Sequence, residues 1–328
     1  MGKLFGTDGI RGIPWNYPFT EEFISRIGYA ATLVLAHYNK RPGRKPVMLI
    51  GMDTRGSGKR IKKALVEGIW ANKFKVLDLG VTSTPAVAYL VKRENADFGI
   101  VISASHNPPE FNGIKFFCRD GLKLNEKVEA RIEALLLGPK PLVFKPIRHA
   151  IQKKDYSADY LAFIRSTLPP GFTLKGLKIV IDCANGAVYK IAPKLFRELG
   201  ADLTVLGAKP DGNNINIDCG ALHTGAMQKA VPDAGAFCGI AETGTLMLLS
   251  GPRTPPTVSL LPETHIALLP VTRIVAHMED SWDLLRAELG NMPRAINFIS
   301  GPSRTADIEQ TVTLGAHGPY RVHIVLLV

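Results

Sequence analysis

No apolar run in these 328 residues reaches the length of about 20 that spans a bilayer. The opening MGKLFGTDGI lacks the basic, apolar and small-residue zones of a secretion signal. Both absences point to a cytoplasmic chain with no membrane partner. The four cysteines, Cys118, Cys183, Cys219 and Cys238, form no C-x-x-C pair, so a zinc or thiol-redox site is not expected and buried, inert thiols are. The net charge is +11, yet no basic block is interleaved with aromatics, which argues against nucleic acid; a small anionic substrate accounts for the excess equally well. The most informative shortage is local. The chain has 22 lysines, and the last of them is Lys229. Up to Val231 there are 34 Lys and Arg against 20 Asp and Glu, and from Pro232 onward 6 against 9, so a net of +14 gives way to −3. A long tail without lysine, after a body that uses it freely, reads as sequence of different origin.

What is present is an alternation of strand-like and helix-like segments, the pattern of an α/β protein. Residues 47–52 (VMLIGM), 76–79 and 98–103 are buried-strand candidates, with an amphipathic stretch over 59–70 and a helix opened by Pro85 between them. A strand over 114–117 and a helix over 124–137 follow. The Pro- and Lys-rich stretch 139–154 reads as a linker. A second α/β unit has helices over 156–166 and 187–199 and strands over 178–182 and 202–206. Beyond Pro232, strands are expected over 245–249, 266–270, 295–299 and 322–327, with a helix over 278–289. The domains are accordingly expected at 1–140, 155–231 and 236–328.

Residues 101–117, VISASHNPPEFNGIKFF, carry the chemistry. A strand ends at a tight turn that projects Ser105, with His106 and Asn107 beside it and Pro108 fixing the exit. Lys115 lies on the returning strand. A serine hydroxyl becomes a useful nucleophile only when positioned, and a phosphoryl group needs cations and N–H donors around its oxygens.

This string resembles the catalytic loop of the α-D-phosphohexomutases. The segment 5–12, FGTDGIRG, is similar to the opening of the phosphoglucosamine mutases in particular, and GMDTRG at 51–56, VIDCANG at 180–186 and PDGNNIN at 210–216 extend the likeness over residues 3–231. The resemblance implies two three-layer α/β units of phosphohexomutase type, the second incomplete. It implies that Ser105 carries a phosphate and hands it to a hexosamine 6-phosphate, and that Arg11 stabilises charge at the transferred group. His106 and Lys115 would act in proton transfer or transition-state stabilisation, and Asn107 and Thr7 would bind substrate or phosphate. It further implies Mg²⁺, held in part by the phosphate on Ser105. The family's D-G-D-G-D-R metal loop is missing, however: the corresponding stretch reads GAFCGIAETGT at 235–245, and no D-x-D-x-D occurs downstream. The sugar loop and phosphate clamp of the family's third and fourth domains are missing too, so low mutase activity is expected.

The tail, 236–328, resembles the C-terminal part of lactate-utilisation protein C, on GIAETGT at 239–245, LPETHI at 261–266, ISGPSRTADIE at 299–309 and LGAHGP at 314–319. That family implies a partial α/β segment like those of sugar-phosphate isomerases and CoA-transferases. An anion could sit on the turn before Thr305 with Glu242 as a nearby anchor, or Ser303 and Thr305 simply cap a helix with Asp307 and Glu309 in its first turn. The reading is then a fusion of two truncated frames joined between Lys229 and Ala241. A non-catalytic accessory protein meeting iron–sulfur lactate-utilisation subunits through the tail, and a non-functional fusion product, are the alternatives.

Overall fold

The computed structural model describes residues 4–6, 8–38, 43–140, 142–145, 151–176, 178–223, 226, 236–251, 264–301, 304–305, 313–314 and 321–327. The chain divides into two compact units, Met1–Met227 and Gln228–Val328.

In the first unit, β1 (Phe5–Gly6) and β2 (Gly9–Gly12) lead to helix α1 (Glu21–Tyr38) and strand β3 (Val47–Met52). Helix α2 (Gly58–Ala71), β4 (Lys75–Val81), α3 (Thr84–Arg93), β5 (Phe98–Ile102), β6 (Asn112–Cys118) and α4 (Glu126–Leu136) follow. A short β7 (Gln152–Lys153) completes a seven-stranded sheet in the order β1-β2-β6-β5-β3-β4-β7. Strands β5, β3, β4 and β7 run parallel, and β6 returns antiparallel to β5. The linker read from 139–154 thus contributes an edge strand, bonded to Leu77 and Asp78.

Alternation along the strands builds three layers. Met48 and Ile50 point to the side of α1, α2 and α4, where Ile24, Ile27, Ile61, Leu65 and Ile132 are buried with them. Leu49 and Val101 point to the other side, against Val87, Leu90 and Val91 of α3. Helix α1 has no counterpart in the sequence reading. It meets α2 so closely that Gly28 and Gly68 are required: a Cβ on Gly68 would run into the Ser25 carbonyl, and one on Gly28 into that of Leu65.

Still in this unit, α5 (Ser157–Ser166) precedes β8 (Lys178–Asp182), α6 (Ile191–Glu198) and β9 (Asp202–Leu206), with β8 and β9 parallel. The sequence pattern predicts α6 from residue 187. The structure starts it at Ile191, after turns in which Ala184 and Asn185 adopt left-handed conformations, with φ of +53° and +50°, and the Asp182 carboxylate accepts Ala184 N–H at 2.8 Å.

In the second unit, β10 (Cys238–Ile240), β11 (Thr245–Leu249), β12 (Thr264–Pro270), β13 (Ile274–Val275), helix α7 (Met278–Glu288) and β14 (Ile296–Ile299) are followed by three further strands. These are β15 (Arg304–Thr305), β16 (Thr313–Leu314) and β17 (Arg321–Leu327). Strands β13-β10-β11-β14 form one sheet, and β12 pairs in parallel with β17. Thr305, read as a helix start, lies in a strand paired with Thr313; Ser303, Asp307 and Glu309 lie outside the described residues. Glu242 is held by the start of α7, through His277 Nδ1 at 2.8 Å and Met278 N–H at 3.2 Å. All four cysteines are free, and burial pushes each thiol up from its ordinary value. Among the described residues no helix is long and apolar enough to cross a membrane.

Candidate active site

Strand β3 sits between β4, reached through α2 on one face, and β5, reached from β4 through α3 on the other. The loops leaving β3 and β5 lie side by side at the carboxyl ends of this neighbouring pair, the end where ligands usually bind in such sheets. Arg55 leaves the first strand and Ser105 the second; the register pairs Met52 with Ile102.

Ser105 is exposed and has a φ of +57°, a left-handed conformation uncommon for a residue with a side chain. Its N–H is taken by Ser103 Oγ at 3.1 Å. The rest of the turn is held from beneath by Arg55, which is 2% exposed. The Arg55 guanidinium donates Nη2 N–H groups to the carbonyls of Ser105 (3.1 Å) and Asn107 (2.7 Å), and Nη1 N–H groups to those of Phe111 (2.9 Å) and Pro108. Its Nε donates to Asp53 Oδ2 at 3.0 Å, and Asp53 Oδ1 accepts Arg55 N–H at 3.0 Å. Burial pulls the guanidinium below its ordinary value, opposed by the Asp53 carboxylate.

A second set of charges flanks the loop. Arg11, on β2, donates to Asn107 Oδ1 at 3.2 Å and to Asp8 Oδ2 at 3.0 Å. Lys115, buried on β6, reaches the same Asp8 oxygen at 2.5 Å. Two features bring these strands together. Gly9, with φ of +83°, and Gly113 both lie where a Cβ would strike neighbouring backbone. Burial raises the Asp8 carboxyl, but the Lys115 ammonium and Arg11 guanidinium outweigh it and hold it below the usual range. Asp8 thus joins Arg11 to Lys115, and Arg11 extends the network to Asn107. His106 is exposed on the turn. Thr7 lies outside the described residues.

Three contributors were not assigned roles from sequence. Asp8 stands inside the FGTDGIRG string, where a carboxylate between two cation-bearing strands was the available signal. Arg55 stands inside the GMDTRG string and pairs with Asp53, but its grip on the loop carbonyls had no sequence signal. Asn216 comes from the turn after β9 and donates Nδ2 N–H groups to the carbonyls of Ser105 and Asn107, both at 2.9 Å.

Mg²⁺ takes six oxygen ligands, commonly one or two carboxylates together with phosphate oxygens and waters. Among the described residues no group of three or more His, Cys, Asp or Glu side chains is assembled. Asp8, the carboxylate of this network, is already engaged by two cations. Among the described residues, no carboxylate cluster stands beside Ser105 to hold Mg²⁺.

Residues 2–140 match the family model of phosphoglucomutase/phosphomannomutase, alpha/beta/alpha domain I, and residues 234–327 match that of the LUD domain. The N-terminal part of the chain is thus similar to the phosphohexomutases, and the tail to LUD domains. More particularly, its relatives there are phosphoglucosamine mutases, which are isomerases. That of Geotalea daltonii is 46% identical over 248 residues, and that of Acetivibrio thermocellus is 47% identical over 248. Each alignment takes in 74% of this chain and 54% of the relative, so the chain spans about half the length of the curated relatives it matches. Among solved structures, a protein described as a phosphomannomutase from Thermus thermophilus shares the fold, with a TM-score of 0.61 at 18% identity over 97% of this chain and 76% of that one.

Proposed function

We propose that the N-terminal unit carries a phosphoryl group on Ser105 and exchanges it with a hexosamine phosphate, as in the conversion of glucosamine 6-phosphate to glucosamine 1-phosphate. The observation that carries this reading is the left-handed Ser105 turn at the carboxyl end of β5, gripped at its carbonyls by a buried guanidinium. A backbone so fixed narrows the positions open to the serine hydroxyl, and positioning supplies much of the acceleration in phosphoryl transfer.

In the step proposed, the bond between phosphorus and Ser105 Oγ breaks as a bond forms to a sugar hydroxyl. That hydroxyl gives up its proton, and Ser105 Oγ is reprotonated. His106, exposed beside the serine, suits the proton transfer; Arg11 and Lys115, tethered by Asp8, supply positive charge for the phosphoryl oxygens. The far-end sugar and phosphate contacts of the family have no match in this sequence, so full turnover is proposed to be slow in this chain alone.

The test has two arms. Incubation with glucosamine 1,6-bisphosphate, followed by mass spectrometry, should find phosphate on Ser105 and none in Ser105→Ala. A coupled assay of glucosamine 6-phosphate conversion should be weak with or without Mg²⁺. Persistent absence of phosphate from Ser105 would sink the carrier role, and ordinary mutase turnover would sink the claim of slowness.

A further inference from the structure

One polar side chain in the serine turn's surroundings belongs to neither the catalytic cations nor the first sheet. Asn216 spans the carbonyls of Ser105 and Asn107 with its primary amide, and these are the two carbonyls that Arg55 Nη2 also reaches. A carbonyl oxygen has two lone pairs. Each of the two oxygens therefore receives one N–H from the β3 loop and one from the turn after β9, and rotating either peptide would break a bond on both sides.

Asn216 is itself built for this place. Its φ is +61°, a conformation that Asn tolerates better than most residues, and its N–H is held by the Ala184 carbonyl at 3.0 Å. The Asp182 carboxylate fixes both ends of the surrounding turns through Ala184 N–H at 2.8 Å and Gly220 N–H at 2.6 Å. Two further bonds tie the same turns to the β3 loop: Gly56 N–H to the Gly212 carbonyl at 2.7 Å, and Thr54 Oγ1 to the Asn185 carbonyl at 2.5 Å. Of these inter-element bonds, only those of Asn216 land on the serine turn.

We infer that Asn216 is a positioning residue for phosphoryl transfer: it locks the left-handed Ser105 peptide and makes the aim of the hydroxyl depend on docking of the β8–β9 substructure. The inference rests on the proposed role of Ser105 as carrier.

Asn216→Gly tests it, because glycine keeps the positive φ while removing the amide. Thr54→Val is the comparison, since it removes a bond between the same substructures without touching the serine turn. Two quantities are read in the full chain: the single-turnover rate of Ser105 phosphorylation by glucosamine 1,6-bisphosphate, and amide exchange across 103–112. Asn216→Gly should slow phosphorylation about tenfold at saturating donor, equivalent to about 1.4 kcal/mol, with the half-saturating concentration unchanged. Exchange across 103–112 should quicken. Thr54→Val should change the rate by less than about twofold. Equal effects of the two variants, or wild-type values for Asn216→Gly, would overturn the inference. If even the wild-type chain takes no phosphate, the carrier reading fails, and exchange alone decides: quickening confined to 103–112 in Asn216→Gly supports the positioning role, and unchanged exchange refutes it.

Discussion

Asp53 and Arg55, two residues apart, face each other as a buried pair with Nε and Oδ2 3.0 Å apart, and the arginine spends its remaining N–H groups on the backbone of the serine turn. A lysine at 55 would keep the charge but bring a single ammonium, unable to reach Asp53 and four carbonyls together. Arg55→Lys should lower the unfolding free energy by about 2–4 kcal/mol in urea titrations of the chain, because buried acceptors and a buried carboxylate lose their donors. Ser105 phosphorylation should fall with it in protein that remains folded.

Asp8 joins Lys115 to Arg11 and is itself about half exposed. Its carboxyl titrates lower in the folded chain than in the unfolded one, so the unfolded state binds the proton first. The stabilisation is therefore present above about pH 4 and is lost as pH falls through the depressed value. Asp8→Asn should be less stable than wild type by less than about 1 kcal/mol at neutral pH, given its exposure. The gap should close on acidification towards pH 3, as followed by denaturant midpoints across pH.

Gly68 and Gly28 let α1 and α2 touch backbone to backbone. Gly68→Ala must push the helices apart, whatever alanine adds in helix propensity. A loss of about 1–3 kcal/mol is expected, read as a lowered thermal midpoint. A gain in stability would contradict the close approach.

At the start of α7, Glu242 and His277 are both exposed and hydrogen-bonded to each other. The His277 bond lowers the Glu242 carboxyl, and the Glu242 bond raises the His277 imidazole. The glutamate's contribution is present above the ordinary carboxylate range and lost below it. That of histidine is present below its ordinary pKa and lost as pH climbs through the raised value. Protection of the Met278 amide, measured by hydrogen exchange and corrected for intrinsic rate, should peak between about pH 4.5 and 6.5 and flatten in Glu242→Gln.

Much of the layer structure is legible from strand runs such as 47–52 and 98–102, because strands buried on both faces must be apolar throughout. Helix α1 escaped the pattern reading although nine of its residues, Phe23 to Leu35, are buried. Its small residues, Gly28, Ala30 and Ala31, pack by close approach and leave a weak apolar stripe. The start of α6 escaped for a different reason. Residues 187–190 follow a left-handed pair at 184 and 185 and form turns, which the apolar pattern does not distinguish from a helix. At the site, Ser105, Arg11, Lys115 and Asn107 were legible because they sit in contiguous strings. The contacts of Asn216 with the serine turn were not, since they join positions over a hundred residues apart, and no spacing rule reports such a meeting.

The grip of Arg55 and Asn216 falls entirely on peptide oxygens. Every residue offers the same oxygen to a donor, so the path of the turn depends little on which side chains it displays at 106 and 110. The mount and the chemistry it presents can thus vary independently: a different side chain beside Ser105 would alter what the turn reacts with while leaving the route of its backbone in place.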